Sequence, residues 1–239
     1  MDTIEILVIL TITVAAFIQG FSGFGFALFS LPILSLLIGI KTAVPLIAVC
    51  GLTNNLFLIM DLKQHVKFFE LKRLIAGAAV GIPIGALFLS KANPEVLKVI
   101  LGVFIIVFVI LNLFQIIKPK GLNKNYGYLF GWLSGLFGGA FNTNGPPVLI
   151  YFYLQGWDKL KQKASITGFF VVTSVIIVIT HSLTGVLNSH VLHFYYYSVL
   201  GVILGSYIGV KLFNKVSTKV FNKVLLYGLL VISFFLILR

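Results

Sequence analysis

An all-α integral membrane protein, built as an inverted-topology repeat, is the fold class that this sequence predicts. Each half is expected to be a Gly/Pro-broken helical hairpin followed by three transmembrane helices. Composition is the first observation. Of 239 residues, 59% are hydrophobic and only 10% charged, and the mean hydropathy is +1.08. A water-soluble domain carries about a quarter charged residues. The second observation is length, because several apolar stretches approach or exceed the roughly 20 residues needed to cross a bilayer. The third is internal duplication. Phe17–Pro32 reads FIQGFSGFGFALFSLP and Trp132–Pro147 reads WLSGLFGGAFNTNGPP, so that Gly20, Gly23 and Pro32 map onto Gly135, Gly138 and Pro147 at one constant offset. Gly77, Gly81 and Gly85 map onto Gly201, Gly205 and Gly209 at a second, slightly larger offset, with Lys91 then meeting Lys215. The repeats are read as residues 1–120 and 121–239, forming one membrane domain.

The segments follow in order. Residues 4–20 are apolar and give way to Gly20-Phe21-Ser22-Gly23-Phe24-Gly25, where each glycine weakens a continuous helix. Residues 24–40 form the second arm of this hairpin. The first full crossing, 42–60, is interrupted by Thr53, Asn54 and Asn55. Segments 72–90 and 95–117 complete the first half. In the second half, 126–141 carries Gly127, Gly131, Gly135 and Gly139 at four-residue spacing, the spacing that brings small residues onto one helix face for close backbone contact. Asn142-Thr143-Asn144-Gly145-Pro146-Pro147 then ends the helix. Asn144 or Thr143 suits an N-cap, and proline suits the first turn of a new helix. The short arm 145–156, the crossing 164–187 with Thr173 and Ser174 midway, 192–212 and 219–238 complete the chain. So short an arm favours a hairpin that meets near the middle of the membrane.

Charge gives the orientation. Loops 61–73 (Lys63, Lys67, Lys72, Arg73), 117–125 (Lys118, Lys120, Lys124), 156–163 (Lys159, Lys161, Lys163) and 211–223 (Lys211, Lys215, Lys219, Lys223) are basic. Loop 187–193 has no Lys or Arg, and the connection near 91–98 has only Lys91 and Lys98. The positive-inside rule puts the four basic loops in the cytoplasm. The first hairpin therefore opens outward and the second inward, with the N- and C-termini outside. The net charge of +12 is accounted for in this way and does not call for nucleic acid. Met1-Asp2-Thr3-Ile4-Glu5 lacks a basic n-region, so the first apolar segment is expected to be retained.

The single cysteine, Cys50, supplies neither a disulfide nor a metal cluster. No Walker, HExxH, GxSxG or CxxC pattern is present, so neither an ATP engine, an enzyme, a metal nor a cofactor is expected. The acidic residues Asp2, Glu5, Asp61, Glu70, Glu95 and Asp158 all fall at or beyond segment ends, unlike the intramembrane carboxylates of many proton relays.

Non-helical backbone at membrane depth survives only when buried in protein or lining a wet cavity. Two helix starts meeting at a shared centre would present free N–H groups and positive dipole ends, which favour an anion. Duplicated halves with an interrupted segment in each point to a secondary transporter whose site lies at the interruptions. An ordinary surface loop at 142–147 is the alternative, and the Phe- and Leu-rich counterpart in the first half weighs against it. Thr53, Asn54, Thr173 and Ser174 would line the path, although interhelical hydrogen bonding also explains such residues. His181, with Thr180 and Ser182, is expected at a wetted outer interface, and Tyr195, Tyr196 and Tyr197 in an aromatic belt.

QGFSGFGFALFSLPIL and SGLFGGAFNTNGPPVLIY, with Gly135, Gly138, Gly145, Pro146 and Pro147 in a GxxGxxxxxxGPP pattern, resemble the sulfite exporter TauE/SafE family over nearly the whole chain. The resemblance implies a multi-pass permease of the bacterial cytoplasmic membrane that moves sulfite or another small organosulfur anion outward. Its partners would be the anion and the lipid bilayer, with a homodimer as a further possibility. By position, the site would set Gly20, Ser22 and Gly23 against Asn142, Thr143, Asn144 and Gly145. The first half has Ser-Leu-Pro where the second has Gly-Pro-Pro, so such a site is asymmetric. Uptake or export of a different organic anion, and a non-transporting membrane scaffold or sensor subunit, are the alternative readings.

Overall fold

The computed structural model describes residues 2–113, 121–157 and 159–212. Lys118, Lys120, Lys215, Lys219, Lys223 and the segment 219–238 lie outside the described residues, as does the Lys91–Lys215 correspondence. The described residues are helical: α1 Thr3–Ser22, α2 Phe26–Ile38, α3 Ile40–Leu62, α4 Phe68–Lys91, α5 Pro94–Leu113, α6 Tyr126–Phe141, α7 Gly145–Leu154, α8 Lys159–Leu183 and α9 Ser189–Leu212, with a 3-10 turn at Lys63–His65. Among them, five helices are long and apolar enough to cross a membrane: α1, α3 with its 3-10 turn, α4, α8 and α9.

The two hairpins break where the sequence carries its glycines and asparagines. Gly23 ends α1 in the left-handed region at φ 85°, its N–H donating to the Gln19 carbonyl at 2.7 Å, and Gly25 precedes α2 at φ 101°. Asn142 ends α6 at φ 56°, a conformation in which Asn is among the tolerated residues. Pro146 and Pro147 occupy the first turn of α7, where a missing N–H costs nothing. The ten residues of α7 rise only about 15 Å, half of a hydrocarbon core of roughly 30 Å. The thirteen of α2 rise about 20 Å. Neither second arm is long enough to span that thickness by itself.

Glycine decides how the helices meet. Gly77, Gly81 and Gly85 of α4 interleave with Gly131, Gly135 and Gly139 of α6, and a Cβ on any of the six would strike backbone of the facing helix. Gly205 and Gly209 of α9 meet the carbonyls of Thr13 and Phe17 on α1 in the same way, while Gly201 faces the Thr13 side chain. Lipid provides no hydrophobic drive between helices, so this close fit is what holds them. Among the described residues, these rows are taken up by contacts within the chain. α3 packs on α8, α3 on α9 and α4 on α8. The opposite faces are apolar and exposed, as at Val80 (60%), Leu200 (69%) and Leu204 (59%), which is a lipid-facing pattern.

Charges gather at the two ends. Lys161 pairs with Glu70 at 2.6 Å, joining the basic loops 61–73 and 156–163, and Glu5 meets His193 at 2.9 Å at the other end. Two expectations need correction. His181 is fully buried and not at a wetted interface: Nε2 lies 2.8 Å from the Gly139 carbonyl. Tyr196 is exposed at 75%, as a belt residue would be, whereas the Tyr195 hydroxyl turns inward to that of Thr53 at 2.8 Å.

Gly81→Ala or Gly205→Ala is expected to lower stability by about 1–3 kcal/mol, because backbone must move to admit the methyl group. Val80→Ala on the lipid face is expected to stay within about 0.5 kcal/mol. Thermal unfolding of the purified chain in detergent measures the difference.

Candidate functional site

The tips of the two hairpins meet at one cavity of ≈ 40 Å³, room for about three water-sized centres. The first hairpin contributes Gln19 and the stretch Phe24–Leu28, and the second contributes Asn142–Pro146. Gly51 and Asn55 of α3 and Phe170 and Ser174 of α8 close the walls.

The two tips bring different chemistry. In α2, the N–H groups of Phe26, Ala27 and Leu28 have no carbonyl one turn earlier to accept them, while the Phe29 N–H already bonds the Gly25 carbonyl at 3.0 Å. Three backbone donors and a positive helix end thus border the cavity. In α7, Pro146 and Pro147 remove two of the corresponding donors and leave Gly145. Side chains take their place, since Asn142, Thr143 and Asn144 all line the same space.

A buried polar network fixes these groups. Asn144 Nδ2 donates to Thr173 Oγ1 at 2.9 Å, and Ser134 Oγ donates to the Asn144 carbonyl at 2.5 Å. Thr173 Oγ1 in turn lies 2.9 Å from the Phe169 carbonyl. Across the cavity, Gln19 Nε2 donates to Asn55 Oδ1 at 2.8 Å, and Asn54 Nδ2 donates to Gln19 Oε1 at 3.0 Å. Ser206 Oγ donates to Asn54 Oδ1, which ties the network to α9. Asn55 Nδ2 stands 3.5 Å from both the Phe170 carbonyl and Ser174 Oγ. Thr143 differs from the rest: its hydroxyl is buried, lines the cavity and has no hydrogen-bond partner. A buried hydroxyl without a partner is uncommon; Ser198 Oγ is another among the described residues, but it does not line this cavity.

Of the residues that the sequence singled out, Asn142, Thr143, Asn144, Gly145 and Ser174 come together at this cavity. Thr173 and Asn54 lie one layer behind, holding Asn144 and Gln19. Ser22 braces the first tip, its hydroxyl 2.7 Å from the Ile18 carbonyl and 2.5 Å from that of Phe24. Gly23 faces a separate space beside Lys163. Gly20 belongs to the α1–α9 contact, where a Cβ would lie 2.6 Å from the Ser206 carbonyl, and Thr53 is turned to Tyr195. Gln19 and the first turn of α2 were not among the expected site residues. Gln19 had a signal, being a lone amide in the apolar run just before the break. The N–H groups of Phe26–Leu28 had none beyond the glycines preceding them.

No Asp, Glu, Lys or Arg is among the described residues lining this cavity, and no group of three His, Cys, Asp or Glu side chains converges among the described residues to hold a metal ion. The arrangement offers neutral donors and helix dipoles to something that accepts hydrogen bonds.

Gln19→Leu is expected to cost about 1–2 kcal/mol, since it strands a donor of Asn54 and an acceptor of Asn55 in a buried site. Thr53→Val, at a half-buried hydroxyl, is expected to cost less than half of that. Unfolding midpoints in detergent compare the two.

A family model described as Sulfite exporter TauE/SafE matches residues 8–236. No curated protein and no solved structure matches the chain.

Proposed function

The chain belongs to the Sulfite exporter TauE/SafE family, and on that premise we propose that it is a secondary transporter exporting a small anion, sulfite or an organosulfonate, by alternating access across the bacterial cytoplasmic membrane. The observation that carries the reading is the convergence of two helix N-termini, one from each hairpin, on a cavity that also holds the unpartnered Thr143 hydroxyl. Each helix N-terminus stabilises a negative charge by roughly 0.3–1 kcal/mol, and by up to about 2 when partly buried. With Asn142 and Thr143 added, the cavity offers donors to an anion of one sulfur and three oxygens, each of which accepts hydrogen bonds.

The two halves, 1–120 and 121–239, act in this reading as inverted repeats. Its support is that the correspondence of α1 with α6, α2 with α7, α3 with α8 and α4 with α9 carries α1–α9 onto α4–α6 and α3–α9 onto α4–α8, and carries α3–α8 onto itself. Rocking of one set against the other would expose the cavity to each side in turn. The basic loops 61–73 and 156–163 face the cytoplasm in this arrangement, and the end bearing Glu5 and His193 faces outward. Export of an anion then runs with the membrane potential, which contributes about 2.3 kcal/mol per charge per 100 mV. Asn144 and Thr173 position the second tip, Ser22 the first, and Gln19 with Asn54 and Asn55 holds α3 against α1.

Efflux of sulfur-35 sulfite from proteoliposomes, with and without an imposed potential, tests the reading. Saturable, potential-dependent efflux is expected, and efflux no faster than from empty liposomes, by protein shown to be folded, refutes it. Thr143→Val removes no bond from the folded chain and is expected to raise KM about tenfold, the loss of one hydrogen bond to a charged group. Asn144→Leu is expected to abolish efflux without unfolding the chain.

A further inference from the structure

The charge that the hairpin cavity presents follows from its parts. α2, of thirteen residues, and α7, of ten, both begin at this space. A helix N-terminus is equivalent to about half a positive elementary charge, so the two together supply about one. None of α2, α6 and α7 carries a charged residue, and no charged side chain is among the described residues lining the cavity. On the walls, the first charged residue beyond Asn55 on α3 is Asp61, and the first before Phe170 on α8 is Lys163. They stand about 9 and 10.5 Å along their helices from the lining residues. Being of opposite sign, they largely offset each other at the cavity.

Size and hydrogen-bonding groups agree with a single charge. A volume of ≈ 40 Å³, about three water-sized centres, matches the oxygens of one sulfur oxoanion and leaves no place for a second acidic group. The N–H groups of Phe26, Ala27 and Leu28 have no acceptor one turn earlier. The Asn142 amide and the unpartnered Thr143 hydroxyl can each donate and accept, so an anion that still carries a proton is received as well as one that does not. Phe24, Pro146 and Phe170 complete the lining, and apolar groups do not solvate a further charge.

We propose that the cavity selects by charge, taking small oxoanions of one negative charge and rejecting dianions of the same size. The proposal rests on the transporter reading above and narrows it. Sulfite is carried as hydrogensulfite, and an organosulfonate is carried when it has one acidic group and a small apolar substituent. A dianion would leave one charge uncompensated in a buried site, where such a charge is costly. The proton of hydrogensulfite leaves with the anion, so the passage of that proton requires no ionisable side chain in the cavity.

Uptake of sulfur-35 sulfite into proteoliposomes of the full chain, in competition with methanesulfonate or sulfate, tests the selection. The two competitors share a tetrahedral shape and differ by one charge. Methanesulfonate is expected to inhibit, and sulfate to inhibit about a hundredfold less well. The KM for total sulfite is expected to rise about tenfold per pH unit above the second ionisation of sulfurous acid, as the competent species becomes scarce. The inhibition constant of methanesulfonate, whose charge does not change, is expected to stay level over the same range. Sulfate inhibiting as well as methanesulfonate, or a KM for total sulfite that does not rise, would overturn the selection and leave the transporter reading intact. A methanesulfonate constant that rises in parallel with KM would assign the pH effect to the protein and overturn it as well. Absence of saturable uptake would overturn both.

Discussion

Hydrocarbon offers no partner to an exposed N–H or C=O, so a chain that breaks its helices inside a membrane must bury every break in protein. Here the breaks fall at Gly23–Gly25 and Asn142–Asn144, and much of the remaining architecture follows from sheltering them. The second arms are too short to cross. The first arms, α1 and α6, are held by α9 and α4 through contacts so close that only glycine fits. Without that approach of backbone to backbone, the tips would stand open to lipid, and neither α2 nor α7 could begin where it does.

The two tips meet this constraint in different ways, and the difference makes the site. In the first, glycines at positive φ turn the chain sharply, and the three residues of α2 whose amides have no partner one turn earlier line the cavity. In the second, prolines remove amides that would have faced the same space, and Asn142, Thr143 and Asn144 supply polar groups instead. One wall is therefore backbone, rigid and of fixed geometry; the other is side chain, held by Thr173 and Ser134. Gln19 and Asn55 link the α1 end of the first tip to the wall shared by α3 and α8.

The helices were legible in the sequence because lipid imposes a simple rule on composition: the segment 126–141 coincides with α6, and 192–212 begins within a turn of the start of α9. The second tip was legible too, since Asn-Thr-Asn-Gly-Pro-Pro has few uses in an apolar stretch. What escaped was direction. Gly20 stands in the same glycine-rich run as Gly23 and Gly25, yet its position on α1 turns it to α9, and sequence spacing alone does not separate a glycine that packs from one that turns. His181 misled for the opposite reason: a polar trio near a helix end reads as an interface, whereas its ring is buried with one nitrogen against the Gly139 carbonyl of a distant segment. The N–H groups of α2 belong to the backbone and leave no mark in a list of side chains.

The exchange of grips between distant parts of the chain bears on how it is made. The first hairpin is clasped by α9, which is among the last described helices to leave the ribosome, and α4 has no partner for its glycine row until α6 is complete. A nascent chain of 120 residues therefore carries both an unsupported break and an uncovered row of small residues. Insertion must proceed with the first tip sheltered by something other than its final neighbours until α9 has been made.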